Sequence, residues 1–232
     1  FKFIMRNLFI CLCLLTSVNL IWAQQSGDNM EVDSLYREDQ IYLNITYNIL
    51  NEKSSGISQN GFSGGFNLGF IRDLPINFNR TVALGLGMGL SANSFNQNLK
   101  IFRENNNIEF EVVSGGSFDM NRFDLYQLEL PFEVRWRTST FESYKFWRIY
   151  AGFKIGYVFA SNSKFNSVDA SYKIKIDETL NKFQYGLTCS FGYDNWNLNF
   201  YYPLNSIFKN QRLDGAALEL STIKAGLIFY IL

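Results

Sequence analysis

The nearest this sequence comes to an acid–base pair is Glu129 and Glu133 in "LELPFEVR". Two carboxylates can act as general acid and base when they flank one bond. Four residues along a strand span about 13 Å, and Pro131 lies between the two, so this pair is not placed to share a substrate. The 232 residues contain no His, which removes Ser-His and His-metal schemes. A second candidate, "GLGMG" at residues 85–89, has the glycine content of a phosphate loop. It lacks the G-x-G-x-x-G spacing, the G-x-x-x-x-G-K-[ST] ending and the following helix start that such loops use. No catalytic residue, cofactor site or metal site is expected, and the chain is not expected to be an enzyme.

The glycines belong instead to a strict period of two. From Val82 to Ala92 the even positions are Val82, Leu84, Leu86, Met88, Leu90 and Ala92; the odd ones are Ala83, Gly85, Gly87, Gly89 and Ser91. That alternation is the signature of a strand with one apolar and one small face. It recurs in seven further segments: 40–49, 62–71, 127–136, 147–159, 183–193, 196–202 and 220–232. In the last, Lys224 sets Ile223, Ala225, Leu227, Phe229 and Ile231 as the oily set.

Composition points the same way. Aromatic residues make up 17% of the chain, with 13 Tyr and 23 Phe but only 3 Pro. The start, "FKFIMRNLFICLCLLTSVNLIWAQQ", has basic Lys2 and Arg6, an apolar run and Ala23 before Gln24, and reads as a secretory signal over residues 1–23. The run is shorter than the ~20 residues of a spanning helix, and Cys11 and Cys13 lie too early in it for a lipid-modified cysteine. Cleavage leaves Cys189 without an internal disulfide partner. It also leaves 19 basic residues against 21 acidic ones, so nucleic acid is not an expected partner.

In a water-soluble sandwich the polar faces would be richly charged, whereas here they are mostly Gly, Ser, Thr, Asn and Tyr. Exported strands with apolar outer faces and small polar inner faces predict an all-β fold, an eight-stranded antiparallel transmembrane β-barrel of the outer-membrane type over residues 40–232. Residues 24–39 read as a flexible periplasmic lead. Phe62, Trp136, Trp147, Tyr193, Trp196 and Tyr202 are candidates for the interfacial girdles. The expected outer loops are 50–60, 96–122, 161–181 and 205–215, the second with a hairpin of its own at "NIEFEVV". The inner turns are 72–80, 137–146 and 194–195. Outer-membrane lipids are then a partner, and eight strands leave a lumen with room for side chains only.

Charges on the inner faces would have to pair in such a lumen. If the fourth and fifth segments pair with residue numbers summing to 283, Glu129 faces Lys154, Glu133 faces Tyr150 and Arg135 faces Arg148. This predicts a lumen ionic plug of Glu129, Glu133, Arg135, Arg148 and Lys154, with Glu129 paired to Lys154 and Glu133 lying between the two arginines. The two longer inner turns bring Arg72, Arg80, Arg137 and Lys145 to a periplasmic rim, a docking surface for a periplasmic or outer-membrane protein or a basic collar for lipid headgroups.

"GFSGGFNLGFIRDLPIN" (residues 61–77) and "LELPFEVRWRTSTFESYKFWRIYAGFKIGYVF" (residues 128–159) resemble the PorT-like outer-membrane β-barrel proteins of the Bacteroidota. The resemblance covers most of the mature chain and implies an eight-stranded barrel in the cell outer membrane and, in some members, a part in type IX protein secretion. It carries no catalytic residues. The expected role is an accessory or scaffolding member of an envelope assembly; the alternative is a narrow channel or a cell-surface barrel binding through its extracellular loops.

Overall fold

The computed structural model describes residues 39–51, 56–105, 107–138 and 146–231. The expected signal segment, most of the lead and Lys145 lie outside the described residues. Eight strands form the wall: β1 (Gln40–Asn51), β2 (Gly64–Pro75), β3 (Val82–Asn96), β6 (Met120–Arg137), β7 (Trp147–Asn166), β9 (Phe183–Tyr193), β10 (Trp196–Pro203) and β13 (Ser221–Ile231). Each pairs antiparallel with the next, and β13 returns to β1 from Ile41↔Ile231 to Asn51↔Ser221, which closes the barrel. Closure matters because lipid offers no partners to a free strand edge. Short strands complete the long-loop end: a hairpin of β4 (Leu99–Glu104) and β5 (Asn107–Val112), β8 (Ser171–Ile174) on the end of β7, and the β11 (Arg212–Leu213) and β12 (Ala216–Ala217) pair. The "NIEFEVV" hairpin is therefore present.

Over the lower two-thirds of the wall the side chains alternate as expected. Leu86, Met88, Leu90, Leu130, Phe132 and Val134 point outward and are exposed, whereas Asn44, Ser91, Glu129, Thr188 and Asn199 point inward and are buried. On β6 the outward apolar run extends from Tyr126 to Trp136, about 25 Å of height at the strand tilt usual for membrane barrels. Aromatic rings bound this band. Trp147 packs on Tyr193 at 5.3 Å and Trp196 on Phe229 at 5.6 Å at the short-turn end, with Tyr47 on Phe62 at 5.5 Å and Tyr157 on Phe183 at 5.3 Å at the other.

Above the upper girdle the polarity reverses. On β3 and β6 the inward residues become Phe95, Phe123 and Leu125, while Ser94, Asn96 and Arg122 face out. The register between these strands does not slip, with Ser91↔Gln127 continuing to Asn96↔Arg122, so the switch records a change of surroundings from lipid to water. On β7 the same reversal is helped by an irregularity. Tyr126 pairs with Ala160 and Gln127 with Val158, leaving Phe159 as an extra residue that flips the strand's facing. The inverted section folds as a crown around an apolar core of Leu50, Phe95, Leu99, Ile101, Phe123, Leu125, Val158, Leu180, Phe208 and Leu220. Sequence reasoning ends its strands at Ala92, Gln127 and Phe159 because it follows a single oily face and the oily face changes sides there.

The small faces of β2 and β3 make room for large lumenal side chains. Tyr42 lies across Gly69 and Gly89, and a Cβ at Gly89 would collide with its hydroxyl; one at Gly85 would come within 2.8 Å of the Arg135 Cδ. Gly89→Val is therefore expected to lower the folded fraction, since forcing volume into a filled core costs about 1–3 kcal/mol. Met88→Val, one residue away and facing outward, should leave it unchanged. Heat-modifiable gel mobility reads both, and a normally folding Gly89→Val barrel would show that Tyr42 does not fill the space the glycine leaves.

Candidate functional site

The chemistry-bearing residues gather in three places: the lower lumen, the middle lumen and the crown. In the lower lumen, strands β2 and β6 run further than their sequence patterns suggest, because Asp73 and Arg137 point into the barrel. Asp73 is fully buried; one of its oxygens accepts a hydrogen bond from Arg135 Nη1 at 3.1 Å, and the other lies 2.8 Å from Arg137 Nη1 as an ion pair. Arg135 also reaches Glu133 through Nε at 3.2 Å and donates through Nη2 to Gln40 Oε1 at 2.7 Å. Its guanidinium lies 4.2 Å from the Tyr150 ring centroid and 5.5 Å from that of Tyr230. Arg137 Nε donates to the Arg80 carbonyl at 3.1 Å, and Asp39 accepts the Asp73 amide at 2.8 Å, so the chain entering β1 is tied to the same cluster.

Midway up, Lys154 Nζ meets Glu129 Oε2 at 3.0 Å, and Asn67 donates to the same oxygen at 3.0 Å. Lys224 stands over the Tyr201 ring at 5.3 Å. A belt of amides follows, with Gln127 donating to Gln184 at 2.8 Å and Asn44 to Asn199 at 2.9 Å. The lumen is thus filled from the Asp73 cluster to the crown core.

The crown carries the third group. Arg103 on β4 meets Glu178 at 2.8 Å, joining the hairpin to the 3-10 turn at Asp177–Thr179, and Lys100 meets Glu111 at 2.8 Å. A polar cleft of about 550 Å³ opens there, lined by Asn107, Glu109, Phe110, Glu178, Gln211 and Arg212. On β8, burial and then the nearby Glu111 push the Tyr172 phenol up to about 12, so it stays protonated at any physiological pH.

The register between β6 and β7 corrects the sequence-based pairing. Residue numbers sum to 285 below Phe159, so Glu129 faces Gly156, Glu133 faces Gly152 and Arg135 faces Tyr150. Lys154 still reaches Glu129, diagonally across the ladder. Glu133 is not held between two arginines: it contacts Arg135, while Arg148 lies at the bottom of the barrel and donates to the Asp194 carbonyl. The expected rim also changes. Arg137 is buried in the lumen, Arg72 is exposed, Arg80 is half-buried, and the turn itself is 76–81 rather than 72–80. Asp73, Gln40 and Tyr230 belong to the network and are not among the charges and partners expected from the sequence; Tyr150, expected opposite Glu133, lies against Arg135 instead. Extending the odd-numbered inner faces from Gly69 to Asp73 and from Arg135 to Arg137 would have found two of the charges.

Neutralising Asp73 would leave two buried guanidiniums short of a counter-charge. Asp73→Asn is expected to destabilise the folded barrel by about 3–5 kcal/mol, the usual effect of breaking a buried ion pair. The urea midpoint in lipid vesicles measures this. A midpoint unchanged from wild type would show that the arginines do not depend on Asp73.

A protein-family model described as "Outer membrane protein beta-barrel domain" matches residues 22–209. Among solved structures, the crystal structure of Ail, the attachment invasion locus protein of Yersinia pestis, is similar at 15% identity and a TM-score of 0.32, over 82% of this chain and 97% of that one. A second crystal structure of Ail, in complex with the heparin analogue sucrose octasulfate, gives 15% identity and a TM-score of 0.34, over 83% and 99% of the two chains. No curated protein matches the sequence. The family match covers most of the chain and the wall is a closed eight-stranded antiparallel barrel, so this chain belongs to the outer membrane protein beta-barrel domain family and is a protein of the outer membrane.

Proposed function

We propose that the protein is a non-enzymatic, non-conducting barrel that acts at the cell surface, through its crown. The observation that carries this reading is the crown's apolar core. Loops that merely link strands have no need of Leu99, Ile101, Phe123, Phe208 and Leu220 packed beneath them. Burying each such side chain contributes about 1.5–3 kcal/mol and holds the surface above in one shape, as a recognition surface requires. The cleft between the β4–β5 hairpin and the β11–β12 pair is the binding site, with Glu109, Glu178 and Arg212 supplying charge and Phe110 an apolar patch. A conducting role is opposed by the filled lumen. Both candidate carboxylates, Glu129 and Glu133, are engaged by cations, which opposes acid–base chemistry.

Membership of an envelope assembly such as type IX secretion is the second reading. It is supported by the PorT-like stretches and by Arg72, exposed at the periplasmic end. The withdrawal of Arg137 into the lumen weakens that docking surface.

Adhesion of whole cells to a panel of immobilised glycans and extracellular proteins separates the two. Cells displaying Glu109→Gln with Arg212→Ser should lose at least about ten-fold of the adhesion, the loss expected for removing charge-assisted contacts, while Arg72→Ser with Arg80→Ser should keep it. A stoichiometric envelope complex lost in the rim variant, with no crown-dependent adhesion, would overturn the surface reading in favour of the assembly.

A further inference from the structure

The barrel wall is incomplete at one point near its periplasmic end. The β10–β13 ladder stops at Asn197↔Ile228, while the β1–β13 ladder continues to Ile41↔Ile231. The last three residues of β13, Phe229–Ile231, are therefore paired with β1 alone, and the two-residue β9–β10 turn at Asp194 and Asn195 lies beside them. A cavity of about 580 Å³ occupies this place. Its lining combines residues from both sides of the wall: Leu43, Phe229 and Ile231 from the lipid-facing surface, Arg148 and Tyr230 from the lumen, and Asp194 and Asn195 from the turn. The cavity thus connects the bilayer with a charged group inside the barrel. Trp196 packs on Phe229 at 5.6 Å, so the opening lies within the lower aromatic girdle.

Arg148 is the unusual member. It is 3% exposed, its Nε is buried with no hydrogen-bond partner, and its guanidinium lies 4.3 Å from the Phe146 ring centroid. Nη1 donates to the Asp194 carbonyl. The other lumenal arginines are met by Asp73 and Glu133, Lys154 by Glu129, and Lys224 by the Tyr201 ring. Among the described residues no carboxylate stands within ion-pair distance of Arg148. A buried guanidinium of this kind calls for an anion. Whatever reaches it past Leu43, Phe229 and Ile231 comes from the membrane and needs an apolar tail. Asp194 on the same lining offers a negative charge of its own, which disfavours a purely anionic headgroup and suits one that also bears a cation.

We propose that this opening is a phospholipid site of the inner leaflet: a zwitterionic lipid with a primary ammonium lays an acyl chain on Leu43, Phe229 and Ile231, its phosphate on Arg148 and its ammonium on Asp194. The lipid-facing walls commit the site to a bilayer lipid, and the paired charges commit it to a phosphoethanolamine-type headgroup.

Native mass spectrometry of the full chain, released from micelles containing equal amounts of phosphatidylethanolamine and phosphatidylglycerol, tests the proposal. Wild type should retain one phosphatidylethanolamine per barrel. Arg148→Gln should reduce that retention about ten-fold, the loss expected for one charge-assisted hydrogen bond. Asp194→Asn should keep a bound lipid but shift the preference towards phosphatidylglycerol, and Arg72→Gln on the exposed rim should change nothing. Gel mobility checks that each variant is folded. If Arg148→Gln fails to fold, the Asp194→Asn exchange of preference decides alone. Retention without headgroup preference in wild type, or a preference unmoved by both variants, would mean a lipid shell only and would overturn the site.

Discussion

Inside an eight-stranded wall there is room for side chains and little else, so a charge that points inward away from any opening in the wall calls for a partner among the other wall residues. Asp73 answers that requirement for two guanidiniums at once, and much of the lower barrel follows from it. Strand β2 continues through residue 75 because its carboxylate is needed inside; β6 continues to Arg137 for the same reason; and the entry to β1 is fastened through Asp39 and Gln40. The small residues of β3 belong to the same arrangement. Without Gly85 and Gly89 neither the Arg135 stem nor the Tyr42 ring would fit across the lumen.

The reversal of polarity along β3, β6 and β7 is the second organising fact. A membrane barrel keeps its oily residues outside because the surroundings are oily, and once the wall rises into water the ordinary rule for soluble proteins returns. One continuous strand, β6, obeys both rules, with Tyr126 to Trp136 facing lipid and Phe123 and Leu125 facing the crown core. At the opposite rim the end of β13 pairs with β1 alone, so the two ladders that flank it stop at different heights.

Most of the architecture was legible from period-two alternation. All eight wall strands were found that way, and the facing of β9, β10 and β13 was read correctly to within a residue or two of their ends. The failures have physical causes. Asp73 and Arg137 looked like turn residues because charge usually marks a surface, whereas in this barrel the polar side is the interior. The register of β6 against β7 was misjudged by two because alternation fixes which face a residue takes and leaves the sliding of one strand along its neighbour open. Glu129 and Lys154 came together regardless, since long side chains reach diagonal positions. Arg148 was placed on the inner face correctly, but its distance from Glu133 depended on that same register.

The polar outer face of the crown fixes more than its own folding. Asn96, Arg122, Asn162 and Lys164 stand on the outer face of β3, β6 and β7 above the upper aromatic girdle. Lipid would have to strip water from all of them for the barrel to sink inward, and Trp136, Trp147 and Trp196 resist its rising at the other end. The molecule therefore has one permitted depth in the bilayer. Its lumenal charges, the cleft above and the gap beside β13 are all held at set heights relative to the two leaflets.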